Sequence, residues 1–269
     1  MPVFVSKFGG SSLADGERFL RVLRLVKSHP ARRIVVLSAP GKREKGDMKI
    51  TDLLIKCART QNRADFYPVQ KRFSEIADCL GVSIQNDLNE AEALVFSGAG
   101  EAAAASRGEW LSTKIFSKAS GFYFLDAKDA VFFSGENVDE EKTSKRILSA
   151  FEKNKSIVLP GFYGADENNN LHLFPRGGSD TTGAIAAYAV KADVYENWTD
   201  VNGIFDKDPN LFGNAQILPS LSYDEAERIL LSGACVLSAD CIFWAKKSST
   251  PILVKNTFFP EKSGTRIGF

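Results

Sequence analysis

The chain has 269 residues, of which 44% are hydrophobic and 25% are charged, a composition typical of a globular protein with a substantial core. Its 34 Lys and Arg residues almost balance its 33 Asp and Glu residues, so no overall field favours nucleic acid or an anionic membrane surface. No apolar run approaches the ~20 residues of a membrane span, and no secretory signal pattern opens the sequence.

The N-terminal part predicts a strand, a helix and a second strand. Residues 3–5 form a short apolar run, and Ser11 or Ser12 is expected to cap the helix that follows. Apolar residues recur at helical spacing in that helix, namely at Phe19, Val22, Leu23 and Val26. Residues 34–37 form a continuous apolar run, which is typical of a strand buried in a parallel sheet.

The rest of the chain continues this alternation. A mainly basic loop at residues 41–49 precedes a helix that is expected to start near Thr51, with this threonine as its cap. Further helices are predicted within residues 64–118, at 139–153, at 181–190, near 223–232 and near 238–247. Further strands are predicted at 122–125, 131–133, 157–159, 194–198 and 252–255. Repeated strand–helix units predict a mainly parallel sheet covered by helices on both faces, with ligands at the carboxyl ends of its strands.

One candidate site follows the first strand, where Lys7 precedes Gly9 and Gly10. Glycines let the backbone approach an anion closely, and a helix N-terminus offers unpaired N–H groups. The order differs from the Walker loop, in which the lysine follows the glycines. We therefore expect Lys7 to point a positive charge from the strand end into an anion site. The alternative is a plain turn with a solvated lysine.

A second candidate site has the same layout. Arg176 and Asp180 flank Gly177 and Gly178 just before a predicted helix. An arginine can hold a carboxylate through two parallel hydrogen bonds. Taken alone, Asp180 could be a helix cap. Two glycine pairs with a cation at separate strand ends favour a shared anion site over two unrelated turns.

Three further segments are weak candidates for a binding site when each is considered alone, because each has an ordinary structural explanation. The segment 38–43 with Thr51 could be a solvated loop and a helix cap. Glu109, within Ser-Arg-Gly-Glu at 106–109, would be an exposed helix residue in most proteins. Thr199 and Asp200 could belong to a polar surface loop.

Together these segments resemble the aspartate kinases, within the amino-acid kinase superfamily. The matching stretches are K-F-G-G-S-S at 7–12, S-A-P-G-K-R at 38–43 with T-D-L-L at 51–54, S-R-G-E at 106–109, R-G-G-S-D at 176–180, E-N-W-T-D-V-N-G at 196–203 and N-T-F…G-T at 256–265. They follow the family order and span nearly the whole chain. The resemblance implies a three-layer α/β/α fold, with an acceptor lobe at about 1–170 and a nucleotide lobe at about 171–269.

The resemblance also implies a reaction, the transfer of phosphate from ATP to the side-chain carboxylate of L-aspartate. It makes Lys7 and Asp180 the catalytic pair, with Mg²⁺ bound through the ATP phosphates and Asp180 as a candidate metal ligand. The residues implied for aspartate are Ser38, Thr51, Glu109, Arg176, Gly177 and Ser179. The residues implied for ATP are Lys7, Gly9, Gly10, Ser11, Thr199, Asp200, Phe205, Asn210, Asn256 and Thr257.

The sequence departs from the family pattern mainly on the nucleotide side. Phe205 and Asn210 stand where a tyrosine and an arginine are usual, Ser238 replaces a usual histidine, and residues 256–259 lack a lysine that some members have there. Most members also have C-terminal ACT domains that bind lysine or threonine, whereas this chain ends at Phe269. We therefore expect no feedback by lysine or threonine on this 269-residue chain, whether or not it is a piece of a longer protein.

Two alternatives remain open at the level of the sequence. The acceptor could be another small acidic amino acid, or the chain could be a non-catalytic paralogue that binds a nucleotide or an amino acid. The four scattered cysteines match no common zinc spacing and predict reduced thiols in a cytoplasmic protein. The resemblance leaves a homodimer open.

Overall fold

The computed structural model describes residues 1–175, 177–207, 211–231 and 237–269, and strands and helices alternate along it. The helices are α1 (Gly16–Lys27), α2 (Ile50–Thr60), α3 (Tyr67–Leu80), α4 (Gln85–Val95), α5 (Gly100–Ser120), α6 (Glu140–Asn154), α7 (Gly178–Val190), α8 (Tyr223–Leu231) and α9 (Ala239–Ser248). The strands are β1 (Phe4–Phe8), β2 (Arg32–Leu37), β3 (Tyr123–Phe124), β4 (Phe133–Ser134), β5 (Asn137–Val138), β6 (Ile157–Pro160), β7 (Tyr163–Ala165), β8 (Leu171–Leu173), β9 (Val194–Thr199), β10 (Ser220–Leu221), β11 (Ile252–Asn256) and β12 (Thr265–Ile267).

The main sheet of the described chain has eight strands in the order β10-β12-β11-β9-β1-β2-β6-β3. Every neighbouring pair in it is parallel except β11 with β12. β1 lies near the centre, between β9 and β2. Strands from before residue 171 form one half of the sheet, and strands from after it form the other half. The prediction of a mainly parallel α/β sheet is confirmed.

Two hydrophobic cores cover the two faces of this sheet. Because side chains alternate along a strand, Val5 and Phe8 of β1 belong to opposite cores. The core that contains Phe8 is completed by α1 to α5, and the core that contains Val5 is completed by α6 to α9. The α1 residues predicted to face the core are all buried. The molecule therefore has the three α/β/α layers that the resemblance implied.

The helix caps differ from the prediction. Asp15, rather than Ser11 or Ser12, caps α1, and its carboxylate accepts a hydrogen bond of 2.9 Å from the backbone N–H of Arg18. Both serines lie in a short 3-10 turn (Gly10–Leu13) that precedes α1. The Ser12 hydroxyl is engaged elsewhere, because its Oγ lies 2.7 Å from Oγ1 of Thr257.

Two other helix starts also differ. Lys49 occupies the cap position of α2 and makes no side-chain cap, so Thr51 lies inside the first turn rather than capping it. α7 begins at Gly178, three residues before the predicted start at 181, and this places Ser179 and Asp180 within its first turn.

The short strands outside the main sheet were the least predictable. The run predicted at 131–133 leads into β4, which pairs with β5 in a hairpin outside the main sheet, and Phe132 forms a parallel bridge with Ala165. β7 and β8 form another hairpin of three residues per strand, which the sequence did not indicate. Strands of two or three residues are too short for a period of two to be recognised.

Two further observations concern the thiols and the length of the helices. Cys57, Cys79 and Cys241 are free thiols, and Cys235 lies outside the described residues. In the described part of the chain, no helix combines the length and the apolar character needed to cross a bilayer.

Candidate active site

The candidate site lies where the carboxyl ends of β1, β2, β9 and β11 meet at one edge of the sheet. The loops that leave these strands contact one another. The backbone N–H of Gly41, after β2, donates to the carbonyl of Gly10, after β1, at 2.8 Å. The N–H of Thr257, after β11, donates to the carbonyl of Thr199 at the end of β9, also at 2.8 Å. This is the edge at which open α/β sheets bind ligands.

A buried ion pair joins the two glycine-containing segments. Nζ of Lys7 lies 2.6 Å from Oδ1 of Asp180, and each side chain is only 10% exposed. Lys7 is the second-last residue of β1, and Asp180 lies in the first turn of α7, which packs across β1. The structure therefore brings together the two residues that were predicted as the catalytic pair.

Asp180 does not act as a helix cap. The cap position of α7 is Gly177, whose φ of +82° suits glycine, and no side chain caps this helix. The carboxylate of Asp180 is engaged instead by Lys7 and by Asn197, whose Nδ2 donates to the same Oδ1 at 2.8 Å. Asn197 lies in β9, and sequence reasoning missed it.

The N-terminus of α7 packs tightly against the end of β6. A Cβ placed on Gly161 would lie 2.5 Å from Oγ of Ser179, so a glycine is required for this approach. Ser179 is buried in the first turn of the helix. Arg176, predicted to bind the α-carboxylate of the acceptor, lies outside the described residues.

Glu109 is buried, whereas an ordinary glutamate in a helix would be exposed. It lies in the middle of α5 with 5% exposure. A Cβ on the preceding Gly108 would lie 2.7 Å from Cβ of Ala39, so this glycine lets α5 approach the loop after β2. The Oε2 atom of Glu109 is buried and has no hydrogen-bond partner within the described part of the chain. Among the described residues, Glu109 therefore has an unpaired, buried carboxyl oxygen near the end of β2.

The environment of Glu109 opposes its ionisation. Burial raises the pKa of this carboxyl from its ordinary 4.5 to about 8, although the backbone N–H groups of Ala39 and of Glu109 itself act in the opposite direction. A cationic group placed against Oε2 would favour the ionised form and complete its interactions.

The two glycines after Lys7 have different surroundings. A Cβ on Gly10 would lie 2.8 Å from the carbonyl oxygen of Ala39, so Gly10 serves the close approach of the loops after β1 and β2. A Cβ on Gly9 would lie 3.5 Å from Nζ of Lys7 and would meet only ordinary contacts. Of the two, Gly9 is the one that leaves space beside the lysine charge.

A buried arginine holds the loop after β2. Arg72 of α3 pairs with Asp47 at 2.6 Å and donates to the carbonyl of Gly41 at 3.2 Å. Burial alone would raise the pKa of Asp47, but hydrogen bonds from Arg43 and the charge of Arg72 hold that pKa well below its usual range. The sequence did not indicate this pair, because an arginine in an amphipathic helix is normally expected on the exposed face.

Two predicted acceptor residues flank this loop. Ser38 directly follows β2 and Thr51 lies at the start of α2, and both are half-buried. The structure thus places them on the same side of the site as Ala39 and the carboxylate of Glu109, although contact with an acceptor stays a prediction.

The predicted nucleotide residues lie at the ends of β9 and β11. Nδ2 of Asn256 donates to the carbonyl of Asp200 at 3.1 Å, and the Asp200 carboxylate accepts from the Thr199 hydroxyl at 3.2 Å. Thr257 is bound to Ser12, as described above. The side-chain groups of Asn256 and Thr257 thus tie loops together, and their contact with ATP stays a prediction.

Three positions differ from the family pattern on this side. Phe205 is half-buried and pairs with Ile217 in an isolated bridge. Ser238 caps α9 by accepting from the N–H of Cys241 at 3.2 Å, and its Oγ lies 3.1 Å from Oγ1 of Thr181 in α7. Asn210 lies outside the described residues.

The three layers define an α/β protein whose buried lysine–aspartate pair lies at the ends of its central strands. The sequence model of the Amino acid kinase family matches residues 2–256, and the chain belongs to this family.

Three proteins that are similar to this chain are aspartate kinases. Aspartokinase 3 of Bacillus subtilis (strain 168) is 32% identical over 285 residues, covering 98% of this chain and 63% of the relative. The aspartate kinase of Clostridium acetobutylicum, described as an allosteric enzyme, superposes with a TM-score of 0.93 at 39% identity, covering 98% of this chain and 63% of that one. E. coli aspartokinase III with aspartate and ADP superposes with a TM-score of 0.86 at 25% identity, covering 98% and 64%. The chain thus spans less than two thirds of these relatives.

Proposed function

We propose that this chain is the catalytic domain of an aspartate kinase, which transfers the γ-phosphoryl group of ATP to the side-chain carboxylate of L-aspartate. The observation that carries the proposal is the Lys7–Asp180 pair, which lies at the strand ends beside Gly9. The similarity to aspartokinases along 98% of the chain supports the same reaction.

The acceptor side needs recognition rather than a strong base. A carboxylate is already ionised at neutral pH, so the barrier lies in bringing it against a polyphosphate. We propose that Glu109 binds the ammonium group of aspartate through its free oxygen. Arg176, Ser38, Thr51, Gly177 and Ser179 complete the proposed acceptor pocket, with Arg176 on the α-carboxylate.

Lys7 is proposed to stabilise the charge on the phosphoryl group during transfer. Fixed positive charge that is already in place supplies most of the stabilisation in such reactions. Asp180 holds the ammonium group of Lys7 at 2.6 Å, and Gly9 leaves the space beside it open. In this mechanism Asp180 orients Lys7 and does not accept a proton.

The donor set fits ATP with Mg²⁺. Oδ2 of Asp180 has no hydrogen-bond partner within the described ranges, and a Mg²⁺ site commonly combines one carboxylate with substrate phosphates. The described residues contain no group of three His, Cys, Asp or Glu side chains that could hold a metal without a substrate. When bound, Mg²⁺ would neutralise phosphate charge. Thr199, Asp200, Phe205, Asn210, Asn256 and Thr257, with Gly9, Gly10 and Ser11, are the proposed contacts for ATP.

A hydroxamate assay with ATP, Mg²⁺ and a panel of acidic amino acids tests this proposal. L-aspartate is expected to give the acyl hydroxamate, because an acyl phosphate is trapped by hydroxylamine. Product with L-glutamate in place of L-aspartate would shift the proposal to another acceptor. Binding of ATP or aspartate without product for any acceptor would favour a non-catalytic paralogue.

The two glycines give a matched pair of variants. Gly10→Ala is expected to destabilise the protein by about 1–3 kcal/mol, since its methyl group would press on a backbone oxygen that cannot easily move. Gly9→Ala should fold normally, because Gly9 has an ordinary extended backbone (φ −75°) and its added Cβ would meet only ordinary contacts. It should lower kcat at least about tenfold, because the methyl group would occupy the space beside Lys7 that the phosphoryl group needs. Thermal melting and kcat measure the two effects. A Gly9→Ala variant with full activity would contradict the proposed space beside Lys7.

The oligomeric state and the cellular location are also part of the proposal. Homodimer formation stays open, and light scattering of the purified chain would decide it. A cytoplasmic location remains a prediction from the scattered cysteines.

A further inference from the structure

Asn197 is an unusual residue for its position. It lies in β9, a central strand, and is fully buried. Asparagine has a low preference for strands, and an amide buried in a core costs stability unless its groups are bonded. Its Oδ1 has no hydrogen-bond partner among the residues that the structure describes. The residue is therefore poorly explained by folding alone.

The contacts of Asn197 converge on the proposed reaction centre. In the parallel pairing of β1 with β9, Asn197 lies directly beside Lys7. Its Nδ2 donates to Oδ1 of Asp180 at 2.8 Å, and Nζ of Lys7 lies 2.6 Å from the same oxygen. Two donors from neighbouring strands thus hold one oxygen of the Asp180 carboxylate.

The other oxygen of Asp180, Oδ2, takes no part in these two contacts. Oδ2 has no partner in the described part of the chain, and it faces Gly177, whose added Cβ would lie 3.5 Å away. Rotation of the carboxylate would exchange the two oxygens and pull Lys7 with them. Asn197 opposes that rotation, because its amide donor is fixed in a strand and has little freedom of its own.

We infer that Asn197 is a positioning residue, which fixes the orientation of the Asp180 carboxylate and thereby the direction of the Lys7 ammonium group. The inference rests on the proposed function, since Lys7 and Asp180 are assigned their roles there. Asn197 itself would touch neither substrate. Replacement of Asn197 should therefore change kcat and not the KM for aspartate or ATP.

The first experiment replaces Asn197 by leucine, which has the same branching but cannot donate. We expect kcat to fall about 10- to 100-fold, as is typical when the partner of a functional group is removed. Both KM values should be essentially unchanged, and the melting temperature should stay close to that of the wild type. If the leucine variant does not fold, Asn197→Ala serves the same purpose with less bulk.

A double-mutant cycle with Asp180→Asn separates positioning from a general structural role. If Asn197 acts through Asp180, Asn197→Leu should have little further effect on kcat when Asp180 is already replaced. An equal loss of kcat in both backgrounds would overturn the inference.

Ser6→Ala is the matched control. Ser6 is also buried between β1 and β9, and its hydroxyl donates to the carboxylate of Glu196 at 2.7 Å rather than to Asp180. Loss of this hydroxyl should leave kcat nearly unchanged, and a loss of kcat equal to that of Asn197→Leu would contradict a role specific to the Asp180 carboxylate. An inactive wild type would refute the proposed function, whereas an active wild type with a fully active Asn197→Leu variant would refute this inference alone.

Discussion

Replacement of Lys7 by methionine is expected to lower kcat for acyl phosphate formation by about 10³-fold or more. Methionine keeps the apolar stem of the side chain and removes its charge. The ammonium group of Lys7 is held 2.6 Å from Asp180 at the end of β1, where little water can take its place. The barrier of phosphoryl transfer lies mainly in the stabilisation of charge, and methionine supplies no charge. Initial rates at saturating ATP and aspartate measure it.

A second variant separates catalysis from folding. Loss of Lys7 leaves the buried carboxylate of Asp180 without its cation, and breaking such a pair costs up to about 3–5 kcal/mol of stability. The double variant Lys7→Met with Asp180→Asn removes both charges and should recover most of the melting temperature. It should recover none of the activity. Near-normal turnover of the single variant would contradict the role of Lys7.

Affinity for aspartate is expected to rise with pH between about 6 and 8 and to level off above pH 8. The pKa of Glu109 is raised to about 8 by burial, so this carboxyl is mostly protonated at neutral pH in the free protein. In the proposed site the substrate ammonium group favours the ionised carboxylate, so aspartate binding is expected to release a proton. The gain in affinity approaches tenfold per pH unit, roughly the limit for one proton. Isothermal titration calorimetry in buffers of different ionisation enthalpy should find close to one proton released per aspartate at pH 7.

Glu109→Gln is the decisive variant for this prediction. The amide does not ionise, so its aspartate affinity should not vary with pH in this range. Above pH 8 that affinity should be roughly 30-fold or more below the wild type, the equivalent of losing about 2 kcal/mol from a buried charge pair. Near pH 6 the two proteins should converge. Glu101→Gln is the matched control, because Glu101 lies exposed on the same helix and pairs with Arg59. A wild-type affinity that does not change with pH would refute the role of Glu109.

The same carboxyl also affects folding stability. Its folded pKa lies above the unfolded value of about 4.5, so the folded state binds the proton more tightly. Its contribution to stability is complete below pH 4.5 and is lost as the pH rises to about 8. The free energy of unfolding of the wild type should therefore fall relative to that of Glu109→Gln as the pH rises from about 4.5 to about 8.

Much of the fold could be predicted from local patterns. The spacing of Phe19, Val22, Leu23 and Val26 identified the buried face of α1, and the apolar run at 34–37 identified a strand buried on both sides. The order of strands and helices then indicated a parallel sheet. Such patterns are decisive because they depend on residues close together in the chain. Exact helix starts were less predictable, since Ser12 bonds Thr257 across the sheet instead of capping α1.

The sequence by itself determined the fold class, the family resemblance and the pairing of Lys7 with Asp180 as the main functional hypothesis. The tertiary structure alone decided that Glu109 is buried, that Asn197 holds Asp180, and that Arg72 holds the loop after β2. The physical reason is distance along the chain. Burial and the pKa of a carboxyl depend on which remote segments pack around it, and a helix glutamate or a strand asparagine has the same local pattern in either environment.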